Sequence, residues 1–160
     1  MMRYAAILAG ALAVSAPASA GEKTGAPADF ASAAEECIAA LSADGDISGS
    51  LPASGWREAG SNPLGKRYTH EGSRVAIFTS TMMGSPSCVV DGYLKKGERD
   101  GLDEVIETSL SASYGDRLKV TRSAFGTSFV VGDVMAILSF ETRSGGLSTR
   151  ITAMSMAEQK

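Results

Sequence analysis

The sequence predicts an α+β fold, with two helices on one face of an antiparallel sheet of about eight strands. Three observations predict it. The runs between turn signals are short and rich in Val, Ile, Thr and Phe, which is strand composition. Two longer stretches carry apolar residues at helical spacing. Gly, Asp and Ser punctuate the chain every few residues, in the manner of hairpin turns.

Residues 1–20, MMRYAAILAGALAVSAPASA, come first in chain order. Arg3 gives a short positive start, Ala5 to Val14 an apolar run, and Ala18-Ser19-Ala20 a small-x-small cleavage site. This pattern reads as a secretory signal peptide. The apolar run is too short for a membrane span, which needs roughly 20 residues, so no membrane insertion is expected after cleavage. Residues 21–28 (GEKTGAPA) are polar with Gly and Pro and read as a disordered start. Residues 29–160 then read as one α+β domain, in a periplasm or outside the cell.

Asp29 has the chemistry of a helix N-cap. Phe30, Ala33, Ala34, Cys37, Ile38 and Leu41 follow as one apolar helical stripe. Residues 42–55 (SADGDISGSLPASG) read as a loop. Strands are predicted at Trp56–Ala59, Lys66–His70, Arg74–Ser80 and Ser87–Lys95. In the last of these Cys88, Val90, Gly92 and Leu94 share a face by alternation. A charged turn, Lys95–Asp100, leads to a second helix from about Gly101 to Tyr114. Its stripe is Leu102, Val105, Ile106, Ser109, Leu110 and Ser113. Gly115 suits the residue after a helix end. Four more strands follow at Leu118–Arg122, Thr127–Val131, Val134–Thr142 and Leu147–Met156, with Gly132-Asp133 as a two-residue hairpin signal. Ile38, Leu41, Val75, Ile77, Val90, Val105, Ile106, Leu110 and Ile137 are the expected core.

The order helix-then-four-strands occurs twice, which suggests an internal repeat over 29–96 and 100–157. Trp56 corresponds to Leu118, Tyr68 to Phe129, VAIF (75–78) to MAIL (135–138), and Val90 and Gly92 to Ile151 and Ala153. The cysteines do not recur, since Cys37 corresponds to Ser109 and Cys88 to Thr149.

Two cysteines in an exported chain predict a Cys37–Cys88 disulfide. Both lie on core-facing stripes, one helical and one alternating.

Composition narrows the function. The chain has 15 Lys and Arg against 18 Asp and Glu. Without the leader's single Arg the net charge is −4. No run of like charges points to nucleic acid or anionic lipid. No spacing calls for a cofactor: there is no P-loop and no dinucleotide fingerprint. His70 is the only histidine, and no G-x-S-x-G elbow supplies a nucleophile for it to activate. Asp44, Asp46, Ser48 and Gly49 match the first half of a calcium loop, but Gly55 stands where the bidentate Glu belongs. Asp44, Asp46 and Ser48 are therefore weak metal candidates. Met82, Met83, Met154 and Met156 are soft donors suited to Cu(I).

The reading that remains is an exported, non-enzymatic binding module that meets another envelope or secreted protein on an exposed sheet face. One alternative is a small periplasmic hydrolase or isomerase with a pocket between sheet and helices. The other is a weak metal-binding protein.

Overall fold

The computed structural model describes residues 24–42, 46–81, 85–95, 97–143 and 146–157. The leader, Asp44, Met82 and Met83 lie outside the described residues. Three helices and eight strands follow in order: α1 (Pro27–Ser42), α2 (Ile47–Ala53), β1 (Arg57–Asn62), β2 (Gly65–Thr69), β3 (Ala76–Ser80), β4 (Ser87–Tyr93), α3 (Leu102–Tyr114), β5 (Leu118–Ser123), β6 (Gly126–Val131), β7 (Val134–Arg143) and β8 (Gly146–Ser155). The strands form one antiparallel sheet in the order β1-β2-β3-β4-β8-β7-β6-β5. The α+β class is the one the sequence predicts.

α1 begins two residues before Asp29. Pro27 has no N–H to leave unsatisfied and its fixed φ suits a first helical position. Asp29 serves this start from inside the first turn, where its carboxylate accepts the Ala26 N–H at 3.0 Å and favours the helix dipole. The preceding chain is tied down by a hydrogen bond from the Gly25 N–H to the Tyr93 carbonyl at 2.8 Å. This anchors residues that composition alone assigns to a disordered start.

The predicted stripe of α1 is buried, and Ala31 and Ala40 are buried beside it. α1 needs this wider apolar surface because it packs on β4, β8 and β7 and also against α3. Alanine at four of its buried positions lets those neighbours come close. α3 buries Leu102, Ile106 and Leu110 completely. Since α1 and α3 touch each other and both contact the sheet, they cover the same face.

Three further expectations need correction. Residues 42–55 are not all loop, because α2 occupies Ile47–Ala53. Gly49, Ser50 and Pro52 are poor helix formers. Burial of Ile47 and Leu51, four apart on one side, makes the turn worthwhile. Val105 is 38% exposed. It sits on the rim of a groove between α1 and α3, beside Ala28, Ala31 and Thr108, so α3 buries a narrower stripe than its sequence offers. Ile137 is only half-buried and faces away from the helices, while Val134, Ala136 and Leu138 point inward. β7 is apolar in both alternating phases, and the phase had to be chosen by register.

The inner face of the sheet presents Tyr68, Ile77, Cys88, Val90, Phe129, Ala136, Ile151 and Ala153, all essentially without exposure. These join the helix residues in one contiguous cluster. Cys37 of α1 and Cys88 of β4 meet inside it and are bonded, with their Cα atoms 5.6 Å apart and a sequence separation of 51.

Candidate functional site

The side of the sheet opposite the helices is the broadest surface the fold leaves without a covering element among the described residues. Its composition follows from alternation. Register places seven outward residues in one row across the sheet: Arg67, Phe78, Val89, Thr152, Ile137, Ser128 and Thr121. In the adjacent row Met154 of β8 stands opposite Met135 of β7, and Met135 stands opposite Val130 of β6. Phe78 is 37% exposed. Val89, Val130, Met135, Ile137 and Met154 are half-buried. The middle of the face is therefore apolar.

Charge lies around this middle. On one side Arg150 of β8 reaches Glu141 at 3.1 Å and Asp91 at 3.7 Å. The Ser148 hydroxyl donates to Asp91 at 2.9 Å. Arg150 thus works between two carboxylates, and its Nε is buried with no partner among the described residues. Arg67, on β2, lies over the Phe78 ring at 5.8 Å. Lys119, on β5, is at the other end of the sheet. Neither Arg67 nor Lys119 has a carboxylate partner among the described residues.

Besides the α1–α3 groove, the helix side carries two smaller clefts among the described residues. One, of about 250 Å³, is lined by Asp29, Glu36, Trp56, His70 and Glu71. His70 is engaged structurally in it. Its Nδ1–H donates to the Glu71 carbonyl at 2.9 Å. Its ring stands 5.5 Å from that of Trp56, and its Nε2 lies against Gly55. The other cleft, of about 470 Å³, opens at the ends of α1 and α3 between Leu41, Tyr114, Arg117 and the β6–β7 hairpin. Gly132 turns that hairpin with a φ of +58°, which a residue without a Cβ adopts freely.

A polar lock between the helices lines the α1–α3 groove that holds Val105 at its rim. The Glu35 carboxylate of α1 accepts hydrogen bonds from Ser109, at 3.0 Å, and from Ser113, both on α3. The two serines of the apolar-looking stripe of α3 therefore serve a carboxylate rather than the core. Next to them, burial pushes the Tyr114 hydroxyl above its ordinary value near 10, and the negative charge of Glu35 adds to the effect. Burial and a nearby anion both disfavour tyrosinate. A phenol whose folded-state pKa is raised contributes stability that is complete below the unfolded value near 10. That contribution is lost as pH climbs from there through the folded value. We expect the melting temperature to fall above about pH 10, and Tyr114→Phe to flatten this slope. Tyrosinate absorbance and thermal melts on the same samples check it, and an unchanged slope in the variant counts against it.

The metal candidates fare differently. Asp46 is the N-cap of α2, and its carboxylate accepts the Gly49 N–H at 3.1 Å. Ser48 lies in the first turn of the helix that Asp46 caps. The Asp-x-Ser-Gly sequence here is helix-start chemistry, in place of the extended loop that a calcium site needs. Among the described residues no three His, Cys, Asp or Glu side chains come together as a metal site.

Arg122 was legible only as a strand residue. It reaches inward from β5 to Asp103, at 2.7 Å, and to Glu107 of α3, fixing the helix over the edge strand. The apolar centre of the outer face could have been found in the sequence. VMAIL is apolar at every position, so whichever phase is buried, the other must be presented outward.

The fold defines a one-sheet, α+β layer protein whose outer sheet face has no covering element among the described residues. No protein-family model matches the chain, and neither does any curated protein or solved structure.

Proposed function

We propose that this chain is an exported, non-enzymatic binding module that docks another envelope or secreted protein on the open face of its sheet. The observation that carries the reading is the apolar centre formed by Phe78, Val89, Ile137, Met135 and Met154, flanked by the uncommitted cations Arg67 and Lys119. Strands stack about 4.8 Å apart, so the face is some 30 Å wide. That suits the roughly 800 Å² per partner of an ordinary protein interface. The complementary partner surface is apolar in the middle with carboxylates at its margins.

Export rests on the leader pattern of residues 1–20 and is supported by the buried Cys37–Cys88 bond, which persists in oxidising compartments. No described helix is long and apolar enough to cross a membrane. The tandem organisation, 29–96 and 100–157, is part of the same proposal. It is supported by a strand order symmetric about the β4–β8 pair. The ladders favour two adjustments to the sequence alignment, at Ile77, which the sequence aligns with Ile137, and at Val90, which it aligns with Ile151. Val90 and Ile151 are cross-strand partners. The ladder counterparts are Tyr68 with Phe129, Ile77 with Ala136 and Val90 with Ala153. An ancestral pair of units would thus have fused across β4 and β8.

The test is quantitative capture from the cell-envelope fraction, followed by titration of the captured protein in purified form. Ile137→Asp and Phe78→Asp should abolish the titrated affinity while their circular dichroism and melts stay near wild type. Equal binding by both variants overturns the reading. His70→Ala separates it from the pocket-enzyme alternative. His70 is exposed and its ring meets Trp56, so its loss should cost at most about 1 kcal/mol in a urea melt, with binding unchanged. A hydrolytic or isomerase activity that vanishes in folded His70→Ala protein would favour the cleft of Asp29, Glu36 and Glu71 instead.

A further inference from the structure

Three methionines share one corner of the open face. Met135 of β7 stands directly across from Met154 of β8. Met156 continues the same ladder, its N–H donating to the Asp133 carbonyl at 2.7 Å. Ser155 and Ala157 line the cleft on the helix side. Alternation therefore sends Met156 to the side of Met154. All three are half-buried, accessible from solvent and outside the sealed core.

Directly opposed residues have Cβ atoms about 5 Å apart, and neighbours on the same face lie within roughly 7–8 Å. A methionine side chain has three rotatable bonds, so the three sulfurs can converge on one point. The register neighbours of this corner are Ser87 and Val130. Asp133, two residues from Met135, lines the cleft on the opposite side, and Glu158, two residues beyond Met156, lies outside the described residues. The two cysteines are bonded to each other and offer no thiolate.

We propose that Met135, Met154 and Met156 form a three-thioether site for a soft monovalent cation, Cu(I) or Ag(I). Thioethers are neutral, polarisable donors. They bind soft cations and discriminate against Ca²⁺, Mg²⁺ and Zn²⁺, which demand oxygen, nitrogen or thiolate. A half-buried position partly desolvates the ion, and a single positive charge is the least costly cation to hold there. The site is distinct from the calcium-like stretch at Asp46 and Ser48, and it does not depend on a protein partner.

Leucine tests this cleanly, because it keeps the volume of methionine and removes the sulfur. The mature, disulfide-bonded protein is titrated with Ag(I) by calorimetry, and with Cu(I) in competition with a chromophoric chelator. Methionine ε-methyl resonances are followed by NMR. We expect one equivalent bound, shifts at the three named methyl groups, and affinity lowered by about tenfold or more in each of Met135→Leu, Met154→Leu and Met156→Leu. Met82→Leu with Met83→Leu, and His70→Ala, should bind like wild type. No binding by the wild type overturns the proposal. So does binding retained in the single Leu variants, or methyl shifts confined to other methionines. If the triple Leu variant loses its near-ultraviolet dichroism, the single variants and the methyl shifts still decide.

Discussion

Replacing both bridging cysteines, Cys37→Ala with Cys88→Ala, lowers stability by about 4 kcal/mol. The bond spans 51 residues, and chain-entropy estimates for a loop of that length give this magnitude. Both side chains are essentially unexposed, so the void left by two sulfurs adds to the loss. The expected fall in melting temperature is roughly 8–16 °C for a chain of this size. The closed loop holds α2 and β1 to β3, the part of the fold with the weakest internal support. β1 is exposed at every residue, and α2 buries only Ile47 and Leu51. Reduction should therefore raise hydrogen exchange first in β1 to β3, while β5 to β8 stay protected. Thermal melts of oxidised, reduced and double-Ala protein measure the first effect, and amide exchange the second. Two labelled thiols in denatured, unreduced protein, or a double variant within 1 °C of wild type on the scale just given, would show that the pair is packing without a bond that matters.

Phe30→Ala should cost about 3–5 kcal/mol, the range for removing a buried aromatic ring. Phe30 has no exposure and holds three segments at once. Its ring edge lies 3.0 Å from where a Cβ on Gly92 would sit and 3.2 Å from the same point on Gly25. Gly25 is bonded through its backbone to Tyr93, next to Gly92. The ring therefore pins the entering chain and α1 onto β4, and both glycines are there for space. The converse variant, Gly92→Ala, places its methyl 3.0 Å from both Phe30 and Val75, closer than normal contact. It should lose about 1–3 kcal/mol by overpacking. Urea melts of the two single variants and the double variant measure both values. In the double variant the added methyl partly fills the vacated ring site, so the losses should sum to less than the two singles. Strict additivity would refute the contact.

Much of the layout was legible because it rests on periodicity. The first helix stripe, the strand alternation around Cys88 and Val90, and the Gly132-Asp133 hairpin each follow from local spacing, and each recurs in the structure. Local spacing also placed both cysteines on buried stripes, which is why their pairing could be read from the chain. The open face was less legible. Ile137 and Met135 sit in a strand apolar on both sides, and nothing within that strand says which phase meets the helices.

What the sequence determined alone was element type, the α+β class and the facing of Cys37 and Cys88, because these depend on residues within a few positions of each other. Tertiary structure decided the rest. It made a helix of Ile47–Ala53, whose weak propensity is offset by burying Ile47 and Leu51. It left Val105 on the rim of the α1–α3 groove, because the angle between helices selects which part of a wide stripe is covered. It joined Glu35 to Ser109 and Ser113 across 74 and 78 residues. It also assembled the apolar face from β3, β4, β8, β7 and β6, strands whose order places residues 78 and 137 in one row. Register between distant strands is set by the burial of the whole inner face at once, and no local window of sequence contains that information.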